Sequence, residues 1–210
     1  AHMATWVMGN VGLMPEEVYD GINYDSKTHS HGELAKWVKT VSDAAVEMKT
    51  PLKPEIVNGV LDAYLGEVPE TFTYKGKEYT AKSFAESLGL KAEDYVELTS
   101  FTHHPFYELV PVEVPDNWDH ALMYNLPLDE FMQVIDYAIN AGDTVCWDGD
   151  VSEPGYAFQH QVAVNTTEEI RKAQELTAKA VETPVTQQSR QATFENFTTT
   201  DDHLEHIVGV

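Results

Sequence analysis

From Gly32 to Met48 the apolar residues Leu34, Trp37, Val38, Val41, Ala45 and Met48 recur at helical spacing, which predicts a helix with one buried face. After a break at Pro51 and Pro54, Ile56, Val57, Val60, Leu61, Tyr64 and Leu65 repeat the pattern as far as Gly66, so a second helix follows with glycine at its end. A shorter amphipathic stretch from Trp6 reaches Gly12 and leaves through Pro15, and Asp20 to Ser30 reads as a polar loop. Phe72 to Tyr79 alternates around Lys75-Gly76-Lys77, which predicts a small hairpin. Thr80 to Leu88 then predicts a short helix capped near Thr80 and closed by Gly89.

The period changes near Tyr95. Tyr95 to Phe101 alternates as a half-buried strand does, and Leu109 to Val114 alternates again. Pro111 and Pro115 confine that second run to a sheet edge or to irregular pairing, because proline cannot donate to a ladder. Leu128 to Ala141 is the clearest helix, with Phe131, Val134, Ile135 and Ala138 on one face, Asp129 and Glu130 in the first turn, and Gly142 as its stop. Thr144 to Trp147 is β-prone, Thr167 to Val181 predicts an amphipathic helix, Thr183 to Asp202 is polar, and His203 to Val210 reads as a buried strand. The layout is α+β: a helical part over residues 1–94, then a β-rich part with inserted helices over 95–210. The apolar run still in progress at Val210 reads as a piece of a longer protein.

The 210 residues are 42% hydrophobic, too apolar for wholesale disorder, and no stretch has the length of a membrane span. Acidic side chains number 35 against 13 basic ones, a formal charge of -22, which repels phosphate backbones and argues against nucleic-acid binding. Cys146 is the only cysteine, so an internal disulfide framework and a multi-cysteine zinc site are excluded. The first residues carry no signal-peptide pattern, which leaves the compartment open.

The densest polar constellation is Thr200-Asp201-Asp202-His203-Leu204-Glu205-His206. A histidine at the start of a strand can hold its ring at a cleft edge, or it can be a satisfied structural histidine. His203 and His206 have odd spacing and point to opposite faces of a strand, so they make no chelating pair. His103-His104, His120 and His160 lie outside any HExxH or Cys/His spacing, so no dedicated metal site is expected. Asp148-Gly149-Asp150 is too short for a calcium loop. The sequons at Asn165 and Asn196 read as chance tripeptides, and Arg190 reads as a surface ion-pair partner.

Asp202-His203 before an apolar, glycine-containing strand resembles the histidine segment of papain-like cysteine peptidases. Within that superfamily the chain resembles the bleomycin hydrolase and aminopeptidase C family. The resemblance rests on Trp6 to Tyr19, on Tyr124-Asn125-Leu126-Pro127-Leu128-Asp129 with its helix, on Ala141 to Val151, and on the histidine segment, in that order. It implies an incomplete papain-like fold: a remnant of the helical subdomain with a helical insertion over 1–94, and a barrel-like β-rich subdomain over 95–210 carrying the catalytic histidine, His203. The nucleophilic cysteine, its glutamine oxyanion donor and the orienting asparagine of that chemistry fall outside this chain.

Inside a strand Cys146 lacks the helix N-terminus that activates a thiol, which argues against it as the nucleophile; by the same resemblance it lines the cleft near the second substrate pocket, or it is structural. Leu204 lines the same pocket or belongs to the core, and Asp202 either tunes the cleft potential or is simply solvated. The activity implied is hydrolysis of N-terminal peptide bonds of peptide substrates, with no cofactor and no metal. The implied partners are the cysteine-bearing segment or chain and further copies in a hexamer; the implied compartment is the cytoplasm, with periplasm or secretion left open. The competing reading is an inactive fragment or relative that serves as a binding or scaffold module.

Overall fold

A computed structural model describes residues 2–167, 177 and 180–209. The chain divides into two compact units, Ala4–Asp94 and Tyr95–Val210 together with Ala1–Met3. Among the described residues, no helix is long and apolar enough to cross a membrane.

The first unit holds helices α1 (His2–Asn10, from Ala4 onward), α2 (Gly32–Glu47), α3 (Pro54–Leu65) and α4 (Ala81–Ser87), with a hairpin of β1 (Phe72–Tyr74) and β2 (Lys77–Tyr79). The hairpin turns on Lys75 and Gly76, at φ of 47° and 77°, the left-handed pair that a two-residue turn requires. Thr80 caps α4 in a reciprocal box with Ser83. Phe72 and Phe84 are buried, and the rings of Tyr74 and Tyr79 stand edge-on to Phe84 at 5.5 and 5.4 Å. Leu34 and Ala45 are the buried residues of α2, while Trp37 and Met48 of the predicted apolar face lie exposed. Gly12 has a φ of 107°, and a Cβ there would meet the Ala81 carbonyl oxygen at 2.4 Å, so only glycine lets α1 end against the start of α4.

The second unit is built on a three-stranded sheet in which β5 (Leu122–Asn125) lies between β3 (Leu98–Thr99) and β4 (Leu109–Pro111). β3 runs parallel to β5 and β4 antiparallel, so the proline-bearing strand is at an edge, as its composition requires. Helix α5 (Leu128–Ala141) has the predicted bounds and ends on Gly142 at a φ of 95°. Two further ribbons pair β6 (Val145–Gly149) with β9 (His203–Ile207), and β7 (Tyr156–Ala157) with β8 (Val162–Ala163). The fold class is therefore α+β. The barrel-like expectation is corrected to small open sheets: no described strand exceeds five residues, and no closed barrel is seen among the described residues.

The polar stretch before the histidine segment contains a helix that periodicity misses, α6 (Gln187–Glu195). It is held by hydrogen bonds rather than by an apolar stripe. Arg190 Nε donates to the Ser100 carbonyl at 3.0 Å, Gln191 Oε1 accepts from the Thr102 N–H at 2.6 Å, and Gln187 Oε1 accepts from the Leu128 N–H at 2.7 Å. Arg190 is not the surface ion-pair partner expected of it. Its guanidinium lies over the Phe101 ring at 4.7 Å, and its burial lowers its pKa. The helix expected over Thr167 to Val181 falls largely on residues outside those described.

Candidate functional site

The antiparallel register of β6 and β9 sets Gly149 opposite His203, Trp147 opposite Glu205, and Cys146 opposite His206. Alternation then divides the ribbon into two faces. Val145, Trp147, Gly149, His203, Glu205 and Ile207 share one, and all of these except His203 are half-buried. Cys146, Asp148, Leu204 and His206 share the other, which is exposed. Strand β9 is therefore not the buried strand its apolar tail predicts, because a two-stranded ribbon covers only one of its faces.

His203 begins β9 with 60% of its side chain exposed, and its Nδ1–H donates to Asp202 Oδ1 at 3.1 Å. The same Oδ1 accepts from the Val151 N–H at 2.9 Å, and the Asp202 N–H donates to the Gly149 carbonyl at 3.1 Å. Asp202 thus clamps the end of β6 and fixes one nitrogen of the imidazole, leaving Nε2 as the acceptor. The hydrogen bond from Val151 is the chief cause that holds its carboxyl below the usual range.

The structure brings Asp202 and His203 into contact and puts Cys146 and Leu204 together on the other face. The Cys146 thiol is exposed, and the neighbouring His206 ring instead bonds Thr144 Oγ1 at 2.6 Å. The expectation that His203 and His206 point to opposite faces follows directly from this register.

Three residues beside His203 escape sequence reasoning. The Trp147 ring folds over Gly149, where an added Cβ would meet it at 2.0 Å. Trp147 also stacks on Tyr156 with centroids 6.5 Å apart, and Tyr156 Oη donates to Glu205 Oε2 at 2.6 Å. The Trp147-Asp148-Gly149 order carried a signal, since a glycine inside a strand marks close approach of another group.

Neither a protein-family model nor a curated protein matches this sequence. Its backbone is similar to the crystal structure of PepW from Lactobacillus rhamnosis HN001, with a TM-score of 0.55 and 18% identity. That match covers 85% of this chain and 44% of the PepW chain. The likeness is one of fold. This chain spans less than half the length of the PepW chain, and the agreement in backbone at so low an identity rests on how the elements are arranged.

Around His203 the structure is strongly acidic. Asp150 is 8% exposed, and its carboxylate accepts from the Ser152 N–H at 2.8 Å, the Ser152 hydroxyl at 2.7 Å, the Glu153 N–H at 3.1 Å and the Thr200 N–H at 2.8 Å. Burial pushes its pKa up, but these hydrogen bonds outweigh it and the net shift is downward. A lowered folded pKa stabilises above the unfolded value near 3.9 and is lost as pH falls through the folded value. Asp150→Ala is expected to cost about 2 kcal/mol at neutral pH, with the deficit narrowing below about pH 4, as read by urea unfolding across pH.

Asp201 has the opposite character. Its Oδ2 is buried without a hydrogen-bond partner among the described residues, and burial, then the charges of Asp116, Asp148 and Asp202, raise its pKa. Its ionised form is therefore a penalty above the folded pKa that vanishes below the unfolded one. Asp201→Asn is expected to raise Tm by about 2 °C at pH 7 and to change nothing near pH 3, as read by calorimetry. A neutral-pH loss of stability would show that the carboxylate has a favourable partner.

Proposed function

We propose that this chain is the central-to-C-terminal portion of a papain-like cysteine peptidase of the bleomycin hydrolase and aminopeptidase C family, hydrolysing peptide bonds at the N-terminal end of peptides. The observation that carries this reading is the backbone likeness to part of PepW, a protein whose name denotes a peptidase, over 85% of the chain. The exposed His203, at the start of a strand with its tautomer held by Asp202, supports it.

In this reading the thiolate comes from a cysteine outside the chain, and attacks the substrate carbonyl carbon. His203 accepts the thiol proton at its free ring nitrogen and returns it to the leaving amine as the acyl-enzyme forms. Water then gives a proton to His203 and attacks the acyl carbon, the C–S bond breaks, and the cysteine recovers the proton as the carboxylic acid leaves. The asparagine that orients the ring also lies outside, while Cys146 and Leu204 line the second substrate pocket from their shared face. The acidic surroundings of His203, Asp150, Asp201 and Asp202 among them, favour substrates with a cationic amino terminus.

The test is thiol-directed labelling of the whole protein with an aminoacyl chloromethyl ketone, followed by peptide mapping. Label on a cysteine outside these 210 residues, with loss of aminoacyl-amide hydrolysis, is the expected result. Label on Cys146 that tracks inactivation would overturn the assignment of the nucleophile. No turnover and no label would favour the binding or scaffold module.

A further inference from the structure

We propose that His103, His104 and Glu113 form a binding site for a zinc-type divalent cation, coordinated through the two Nε2 atoms and the carboxylate. Histidine 103 and histidine 104 lie in the loop after β3, and Glu113 follows β4. Pairing of both strands with β5 brings them together. His103 Nε2 lies 3.0 Å from Glu113 Oε2, and His104 Nε2 lies 2.7 Å from Glu113 Oε1. The three ligand atoms all fall within 4.8 Å of one another.

Tetrahedral zinc with ligands at roughly 2.0–2.2 Å keeps neighbouring donor atoms roughly 3.4 Å apart. Small side-chain rotations therefore convert the present spacing into a coordination shell, with a fourth position left for water. The two imidazole side chains are only 28% and 22% exposed, and the His103 ring is stacked on Phe194 with planes 14° apart. Two partly desolvated imidazoles converging on one carboxylate, in a chain of formal charge -22, form a donor set suited to a borderline-soft cation.

Gln191 sets the affinity of this site. Its Oε1 is committed to the Thr102 N–H, so its Nε2 faces His103 Nδ1 at 2.9 Å and donates to it. That arrangement keeps the ring proton on Nε2, where it bonds Glu113. A cation takes the Nε2 lone pair only once that proton has moved to Nδ1, which works against the amide. An acceptor at position 191 would favour the metal-binding tautomer, as carboxylates behind metal-bound histidines do. Gln191 Nε2 also donates to Glu195 Oε1 at 2.9 Å, so the exchange Gln191→Glu with Glu195→Gln preserves that hydrogen bond with its polarity reversed and leaves the net charge unchanged.

The experiment titrates Zn2+ into the whole protein, with its thiols alkylated, in competition with a chromophoric chelator. One equivalent is expected to bind specifically, weakened about 100-fold or more in His104→Ala and in Glu113→Ala and unchanged in His206→Ala. The Gln191→Glu, Glu195→Gln pair is expected to tighten binding about tenfold. Co2+ should show a single d–d absorption spectrum that His104→Ala abolishes while circular dichroism stays unchanged. Wild-type affinity no greater than that of the His104→Ala and Glu113→Ala variants would overturn the site. A paired exchange that fails to tighten binding would overturn coordination by His103 Nε2.

Discussion

His203→Ala in the whole protein is expected to lower aminoacyl-amide turnover by about 10⁴-fold or more, while Cys146→Ala leaves it within about threefold of wild type. The asymmetry follows from the ribbon. His203 and Cys146 lie on opposite faces of paired strands, so the thiol of this chain does not stand beside the imidazole that would have to activate it. Folding is expected to survive both changes, because the His203 side chain is 60% exposed and Cys146 is exposed. Steady-state turnover measured alongside Tm separates the two effects. An active His203→Ala variant would remove His203 from the proton transfer, and full loss in a folded Cys146→Ala variant would move the nucleophile into this chain.

The sequence makes the long helices and the hairpin legible because their signals are local. The apolar spacing of α5, the acidic residues Asp129 and Glu130 in its first turn and Gly142 at its stop place both ends, and Lys75-Gly76 specifies the turn between β1 and β2. Strand β5 is not legible in that way. Its four residues, Leu122 to Asn125, follow an irregular stretch, and what makes them the centre of a sheet is pairing along both edges with two strands that come earlier in the chain. Helix α6 escapes for a different reason: its anchors are Gln187, Arg190 and Gln191, polar side chains that read as surface until their backbone partners are known.

At the candidate site, the odd spacing of His203 and His206 already dictated opposite faces. The clamp by Asp202 and the carboxylate at Glu113 were hidden, because each contact depends on strand pairing that residue spacing does not display. Glu113 sits only ten residues from His103, yet nothing in that spacing reveals the convergence, since β5 must first bring the two neighbouring strands into register.

Asn125→Ala is expected to destabilise the protein by about 3–5 kcal/mol, lowering Tm by about 10 °C. Asn125 has no exposed surface, and its side chain serves the loop that follows β3. Oδ1 accepts from the Phe101 N–H at 2.9 Å, and Nδ2 donates to the carbonyls of Phe101 at 2.8 Å, Pro105 at 3.0 Å and His104 at 3.3 Å. Alanine removes both halves of the amide at once. It leaves a buried N–H and buried carbonyls without their partner and opens a cavity too polar to be filled by apolar neighbours.

The backbone bonds of the same residue, from Tyr107 N–H to its carbonyl and from its own N–H to the Glu108 carbonyl, do not depend on the side chain. The loss therefore falls on the loop before it falls on the sheet. Limited proteolysis is expected to cut between 101 and 107 in the variant at temperatures where the wild type resists. Asn125→Asp is expected to fail as well, because it keeps the acceptor for Phe101 but sets a buried carboxylate against three carbonyl oxygens. A stable Asn125→Ala variant would mean that the loop's other contacts, to Gln191, Arg190 and Glu113, suffice to hold it. If Asn125 does hold it, the variant also weakens Zn2+ binding without touching a ligand, since the same amide positions the backbone of His104.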